Sequence, residues 1–156
     1  MPEPEPDFIL HIEIAADRAT LHSYLCDLER MAPLHPLIES ITEIEVSAEL
    51  PRARRWRVVD RVPLGPLRLR AEYIAAIESL SADEVHGHAW QKPGVRLHTI
   101  YALSEGLEPG TTRLEERVQV RAPFGLRGIV VRQARAAHTK MLAGMKQLLE
   151  RGAQAP

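Results

Sequence analysis

His86-Gly87-His88 is the densest concentration of chemistry-bearing side chains in this 156-residue chain. Two imidazoles spaced two apart on a strand point the same way. With one carboxylate beside them they would form an acid–base pair, or a two-histidine, one-carboxylate ligand set for zinc or non-haem iron. Strand alternation supplies Glu116 as that carboxylate. It also predicts that Asp60, Tyr73, Trp90, Thr99 and Tyr101 share the same face, while His138 falls inside the apolar stripe of the last helix. Only 4% of the residues are aromatic, so three of them on one face predict a ligand surface. A dry core would not hold two imidazoles and two carboxylates without partners, because burying unpaired charge is costly. A solvated cavity with apolar walls and a few polar groups resolves that conflict. Asp60, Tyr73, His86, His88, Trp90, Thr99, Tyr101, Glu116 and His138 are therefore the candidate ligand-binding residues. Plainer readings stand beside this one. A register slip of one residue would turn His86 and His88 to solvent. His138 reads also as a satisfied helix histidine, and Glu116 as the partner of an inward histidine or a residue of the sheet rim. An HxH pair is a weak metal signal, so no metal or other cofactor is expected. Phosphate-cradling glycine loops and nucleophile elbows are absent.

These side chains need a sheet and a helix to position them. Leu126, Val130, Ala134, Ala137, Met141, Met145 and Leu148 recur at steps of three and four, which predicts a helix over Phe124–Arg151. Pro123 and Gly152 flank it as start and stop signals. A helix of that length spans roughly 40 Å and needs an equally long apolar surface. Seven alternating stretches can supply it: Phe8–Ala15, Ile38–Ala48, Ala53–Leu64, Leu67–Ile77, Glu84–Gln91, Val95–Leu103 and Thr112–Arg121. Two short helices lie between the first and second, one capped by Asp17 and one ended by Pro33. Hairpin-length loops join the other strands, which predicts an antiparallel meander. In the second strand Ile44 and Val46 are expected inward. Pairing Leu64 with Leu67, Gln91 with Gly94 and Leu103 with Thr112 closes three hairpins and generates the inward set above.

The length fits one domain over residues 8–151, with a disordered tail over 1–7 and a second tail over 152–156. Lys and Arg number 20 against 21 Asp and Glu, which argues against nucleic acid as a partner. The single cysteine, Cys26, cannot form an intrachain disulfide and reads as a core residue. The acidic, proline-rich start MPEPEPD is unlike a signal peptide, and no apolar run approaches a membrane span. A cytoplasmic protein without an integral membrane segment is expected.

Four stretches carry a resemblance: FILHIEIAADRATLHSYLCDLERM, HPLIESITEIE, EPGTTRLEERV and FGLRGIVVRQARAAHTKMLAGMKQLLE. Together, in this order, they resemble the START-like, helix-grip (SRPBCC) superfamily, in particular its polyketide cyclase/dehydrase and lipid-transport branch. The resemblance implies an α+β fold in which a seven-stranded curved antiparallel sheet grips the C-terminal helix around a ligand cavity. It implies binding or carrying of a hydrophobic or amphipathic small molecule, such as a lipid, isoprenoid or polyketide. The alternative is a cyclase, dehydratase or isomerase using inward His and Glu or Asp as acid–base groups. The superfamily has no universal catalytic motif, so no residue is assigned a catalytic role.

Overall fold

The computed structural model describes residues 2–154. Seven strands form one antiparallel sheet in the order β1-β7-β6-β5-β4-β3-β2. They are β1 (Phe8–Ile14), β2 (Ile38–Ile44), β3 (Arg54–Leu64), β4 (Leu67–Ser81), β5 (Glu84–Gln91), β6 (Val95–Glu105) and β7 (Thr112–Arg121). Helices α1 (Arg18–Leu25) and α2 (Leu28–Met31) and a single 3-10 turn (Ala32–Leu34) connect the two edge strands. Asp17 caps α1 by accepting from Thr20 N at 2.7 Å, which satisfies one of the free amides of its first turn. The last element, α3 (Arg127–Gln154), has 28 residues and spans about 42 Å. The α+β architecture is the one expected.

The core lies between the inner sheet face and α3. Ile14, Trp56, Val58, Val85, Leu114 and Met145 are completely buried. On α3, Ala137, Met141, Leu142 and Met145 face inward, while Arg132 and Lys140 meet solvent. The expected helix needs correction at both ends: it starts at Arg127, so Leu126 lies ahead of it and is exposed. Leu148 is exposed, and Leu149 packs on the core in its place. Lys146 Nζ donates to the carbonyl of Glu13 at 2.5 Å and to Glu150 Oε1 at 2.8 Å, tying α3 to β1. Ahead of β1, Asp7 accepts from Val120 N at 2.6 Å and pairs with Arg127. That contact joins the N-terminal stretch to β7 and to the start of α3.

Register decides which side chains face the core. The β3–β4 hairpin closes with Leu64 opposite Leu67, which sets Asp60 opposite Ala71 and Val58 opposite Tyr73, as expected. The β6–β7 pairing is shifted by two residues from expectation: Leu103 opposes Leu114, and Tyr101 opposes Glu116. A shift of two leaves every side chain on its face. The β5–β6 hairpin differs by one. Gln91 pairs with Val95, so Lys92-Pro93-Gly94 forms the loop, with Gly94 at φ 114°. Val85, Gly87 and Ala89 therefore line up with the inward Tyr101, Thr99 and Leu97. In β2 a bulge between Ile38 and Ser40 resets the alternation. Ile38 and Ile41 pack on the core there; Ile44, expected inward, instead lies opposite the outward Arg55, and Val46 lies beyond the strand, 56% exposed.

Candidate functional site

Beneath α3, the sheet and the helix bring together a polar cluster inside an apolar shell. Glu116, on β7, is fully buried, and His138, on α3, donates from Nδ1 to its Oε1. Tyr101, on β6 directly opposite Glu116, lies beside the same carboxylate without a hydrogen bond to it. Asp60, on β3, is 7% exposed, with the hydroxyl of Tyr73 from β4 beside it. Thr99 is buried on β6. His35, which follows the 3-10 turn, packs its ring edge-on to that of His138, with centroids 5.9 Å apart. Among the described residues, three buried side-chain polar atoms have no hydrogen-bond partner: Asp60 Oδ1, Glu116 Oε2 and Trp56 Nε1.

Burial and neighbouring charge set the protonation states. Burial alone would push the His138 imidazole down. The charge and hydrogen bond of Glu116, helped by Asp60, outweigh it and hold His138 above the ordinary histidine range. His35 is driven to about 4 by burial and then by the positive charge of His138, so it is neutral at pH 7. Burial raises Asp60 to about 6, against smaller opposing pulls from the Tyr73 hydroxyl and His138. Tyr73 and Tyr101 are pushed well above the usual phenol range, by burial first and by Asp60 and Glu116 next. The cluster thus holds one cation between two carboxylates.

Asp60 has a consequence for stability. Its carboxyl is raised from 3.8 to about 6, so between those values the folded state holds a proton that the unfolded state has lost. Stability from this group is present below about pH 4 and is lost as pH rises through 6. Asp60→Asn should therefore stabilise the protein at pH 7 by of order 2–3 kcal/mol, at about 1.4 kcal/mol per unit. The gain should vanish near pH 4. Urea unfolding of both proteins across pH 4–7 checks this; a gain independent of pH would contradict it.

Six of the nine candidate residues lie on the inner face: Asp60, Tyr73, Thr99, Tyr101, Glu116 and His138. His86, His88 and Trp90 do not. The extra residue in the β5–β6 loop turns them to the outer face, opposite Ile100, His98 and Arg96. Glu116 therefore cannot join His86 and His88 around a metal. On the outer face the rings of Trp90, His88 and His98 form a stack, Trp90 to His88 at 5.6 Å and His88 to His98 at 4.7 Å. His88 is lowered to about 4 by burial and by its histidine neighbours. Sequence reasoning missed His35, whose position depends on how the 3-10 turn folds back beneath α3. It missed His98 as well, which strand alternation alone puts on the outer face.

The inner face is not fully covered. Helix α3 packs closest to β1, β7 and the 3-10 turn. Ala71, Tyr73, Gly87 and Ala89 point inward from β4 and β5 and yet remain half-buried. The architecture as a whole is also seen in solved structures. A START superfamily protein from Mycobacterium smegmatis superimposes with a TM-score of 0.67 at 15% identity, covering 92% of this chain and 97% of that one. This is a START-like, helix-grip fold. The same helix grip matches Ara h 8.0201 with a TM-score of 0.69 at 13% identity, covering 92% of this chain and 97% of that one. It also matches the di-domain ARO/CYC StfQ from the steffimycin biosynthetic pathway, with a TM-score of 0.68 at 15% identity, over 95% of this chain and 52% of StfQ. No protein-family model and no curated protein matches the sequence. Among the described residues no helix is long and apolar enough to cross a membrane.

Proposed function

We propose that this helix-grip protein binds or carries an amphipathic small molecule between the sheet and α3. The apolar body would lie along the open part of β4 and β5, and the polar end at Asp60, Glu116 and His138. The observation that carries the reading is the pair of buried, unpartnered carboxylate oxygens, Asp60 Oδ1 and Glu116 Oε2. Each unsatisfied buried acceptor costs roughly 1–3 kcal/mol, which a ligand donor would recover. Carboxylates accept and do not donate. Two carboxylates and one imidazolium also leave the cluster net negative. The chemistry favours a ligand that ends in a hydroxyl or amine over one that ends in a carboxylate. Lipids, isoprenoids and polyketides with free hydroxyls fit this description, and the helix-grip neighbours include an aromatase/cyclase. The lone cysteine suits a reducing, cytoplasmic setting.

Trp56 is the natural reporter, because it is fully buried on the inner face, whereas Trp90 stands outside. In a Trp90→Phe protein, a long-chain alcohol should quench Trp56 saturably. The fatty acid of equal length should bind at least tenfold more weakly, a difference of about 1.4 kcal/mol. Equal affinities, or no saturable change with either, would overturn the reading.

A second reading has its own support. Asp60, at about 6, sits near neutral pH as a base should, and His138 is held protonated as an acid should be. A bound ligand carrying an acidic C–H and a leaving hydroxyl could then undergo proton transfer and loss of water at this cluster. Products sought by mass spectrometry in the same titrations would reveal such chemistry.

A further inference from the structure

Three histidines meet on the outer face of the sheet, on the side away from α3. His86 and His88 stand two apart on β5, so both emerge on one side. On β6, His98 lies directly opposite His88. One ring nitrogen from each of the three lies within 4.8 Å of the other two. His98 Nε2 and His86 Nδ1 are 3.0 Å apart. Ring nitrogens bound to one tetrahedral cation at about 2.1 Å stand roughly 3.4 Å from one another. Small turns about the side-chain torsions cover the difference, because two paired strands already hold the three Cβ atoms in place. His86 Nε2 donates to Glu84 Oε1 at 2.6 Å. That bond leaves the lone pair of His86 on Nδ1, facing His98, in the carboxylate–imidazole–metal order that fixes the tautomer and raises the basicity of a ligand.

The surroundings suit a cation. A hollow of about 180 Å³ opens beside His98, and Glu3 and Glu5 line it. Arg117 borders the same hollow but is paired with Glu115. All three rings are only partly buried, which leaves a coordination position open to water. The inner core contains none of these groups, so the fold stands without a cation.

We propose that His86, His88 and His98 form a binding site for a divalent transition cation of the zinc type, with Glu84 orienting His86 and water in the fourth position. Imidazole sets of this kind select zinc, cobalt, nickel or copper over magnesium or calcium. The site is separate from the cluster under α3 and does not depend on what that cluster binds.

The test uses the untagged full chain, stripped with chelator and titrated with Co²⁺ and then Zn²⁺. One equivalent of Co²⁺ should bind, giving the visible bands of nitrogen-ligated cobalt, and one equivalent of Zn²⁺ should displace it. Co²⁺ should quench tryptophan fluorescence, and the quenching should disappear in Trp90→Phe, since Trp90 stacks on His88. His98→Gln should weaken Zn²⁺ at least tenfold and Glu84→Gln about tenfold. His11→Gln, on the exposed side of β1 two strands beyond β6, should leave binding unchanged. Absence of saturable Co²⁺ binding, or His98→Gln titrating like the parent, would overturn the site. So would His11→Gln weakening binding as much as His98→Gln.

Discussion

Met141→Asp should abolish folding. Met141 is 3% exposed and sits on α3 in the same cluster as Trp56, Leu114 and Met145. A carboxylate at that point has neither water nor a partner. Burial of an unpaired charge is among the few single changes that cost more than about 4–5 kcal/mol. A domain of this size has about 5–15 kcal/mol in total. Circular dichroism of the purified variant should show lost structure, while Met141→Leu, which conserves volume, should cost less than about 1.5 kcal/mol. A folded Met141→Asp protein would mean that α3 does not lie on the sheet through this face.

The second large effect concerns the buried pair. Glu116→Ala should cost about 3–5 kcal/mol, because it strands the His138 charge in a buried site. The loss has a pH signature. His138 is raised in the folded state, so the pair contributes stability fully below pH 6.5 and loses it as pH rises through the folded value. The deficit of Glu116→Ala should therefore narrow at alkaline pH. Replacing both residues, as Glu116→Leu with His138→Leu, should be neutral or stabilise by up to about 4 kcal/mol, since neither charge is then left alone. The double variant should nevertheless lose its preference for hydroxyl-ended over carboxylate-ended ligands. Denaturant unfolding of Glu116→Leu, His138→Leu and the double variant completes the cycle. A double variant as unstable as the sum of the two single variants would show no coupling between the residues and would contradict the buried pair.

The inner cluster was legible wherever a hairpin closure was simple. Leu64-Gly65-Pro66-Leu67 permits one tight turn, so Asp60 and Tyr73 could be placed from residue order alone. The β6–β7 loop is long, and its closure differs from the simplest one by two residues. Because strand alternation has period two, Tyr101 and Glu116 still face inward. Lys92-Pro93-Gly94 was ambiguous in a more damaging way. A two-residue and a three-residue loop place His86 and His88 on opposite faces of the sheet. The local signal for the three-residue form is Gly94, which supplies the positive φ of 114° that neither Lys92 nor Pro93 favours in a two-residue turn. The three-residue form also puts the small and apolar Val85, Gly87 and Ala89 against the core. The bulge in β2 was invisible, since regular alternation puts Ile38 and Ile44 on one face, whereas the bulge turns Ile38 and Ile41 to the core and leaves Ile44 opposite the outward Arg55. The long helix was legible from its period, but its ends were not: it starts at Arg127 rather than Phe124, and of the two leucines at its far end Leu149 packs on the core while Leu148 is exposed.

The central claim is that the polar end of a ligand is held under α3 at Glu116 and His138. Histidine side-chain NMR during the long-chain alcohol titration tests it most directly, because the imidazoles report the two faces of the sheet separately. The account predicts that the resonances of His138 and His35 move with saturation, while those of His86, His88 and His98 stay where they are. Shifts confined to the outer three, with His138 unmoved, would contradict it.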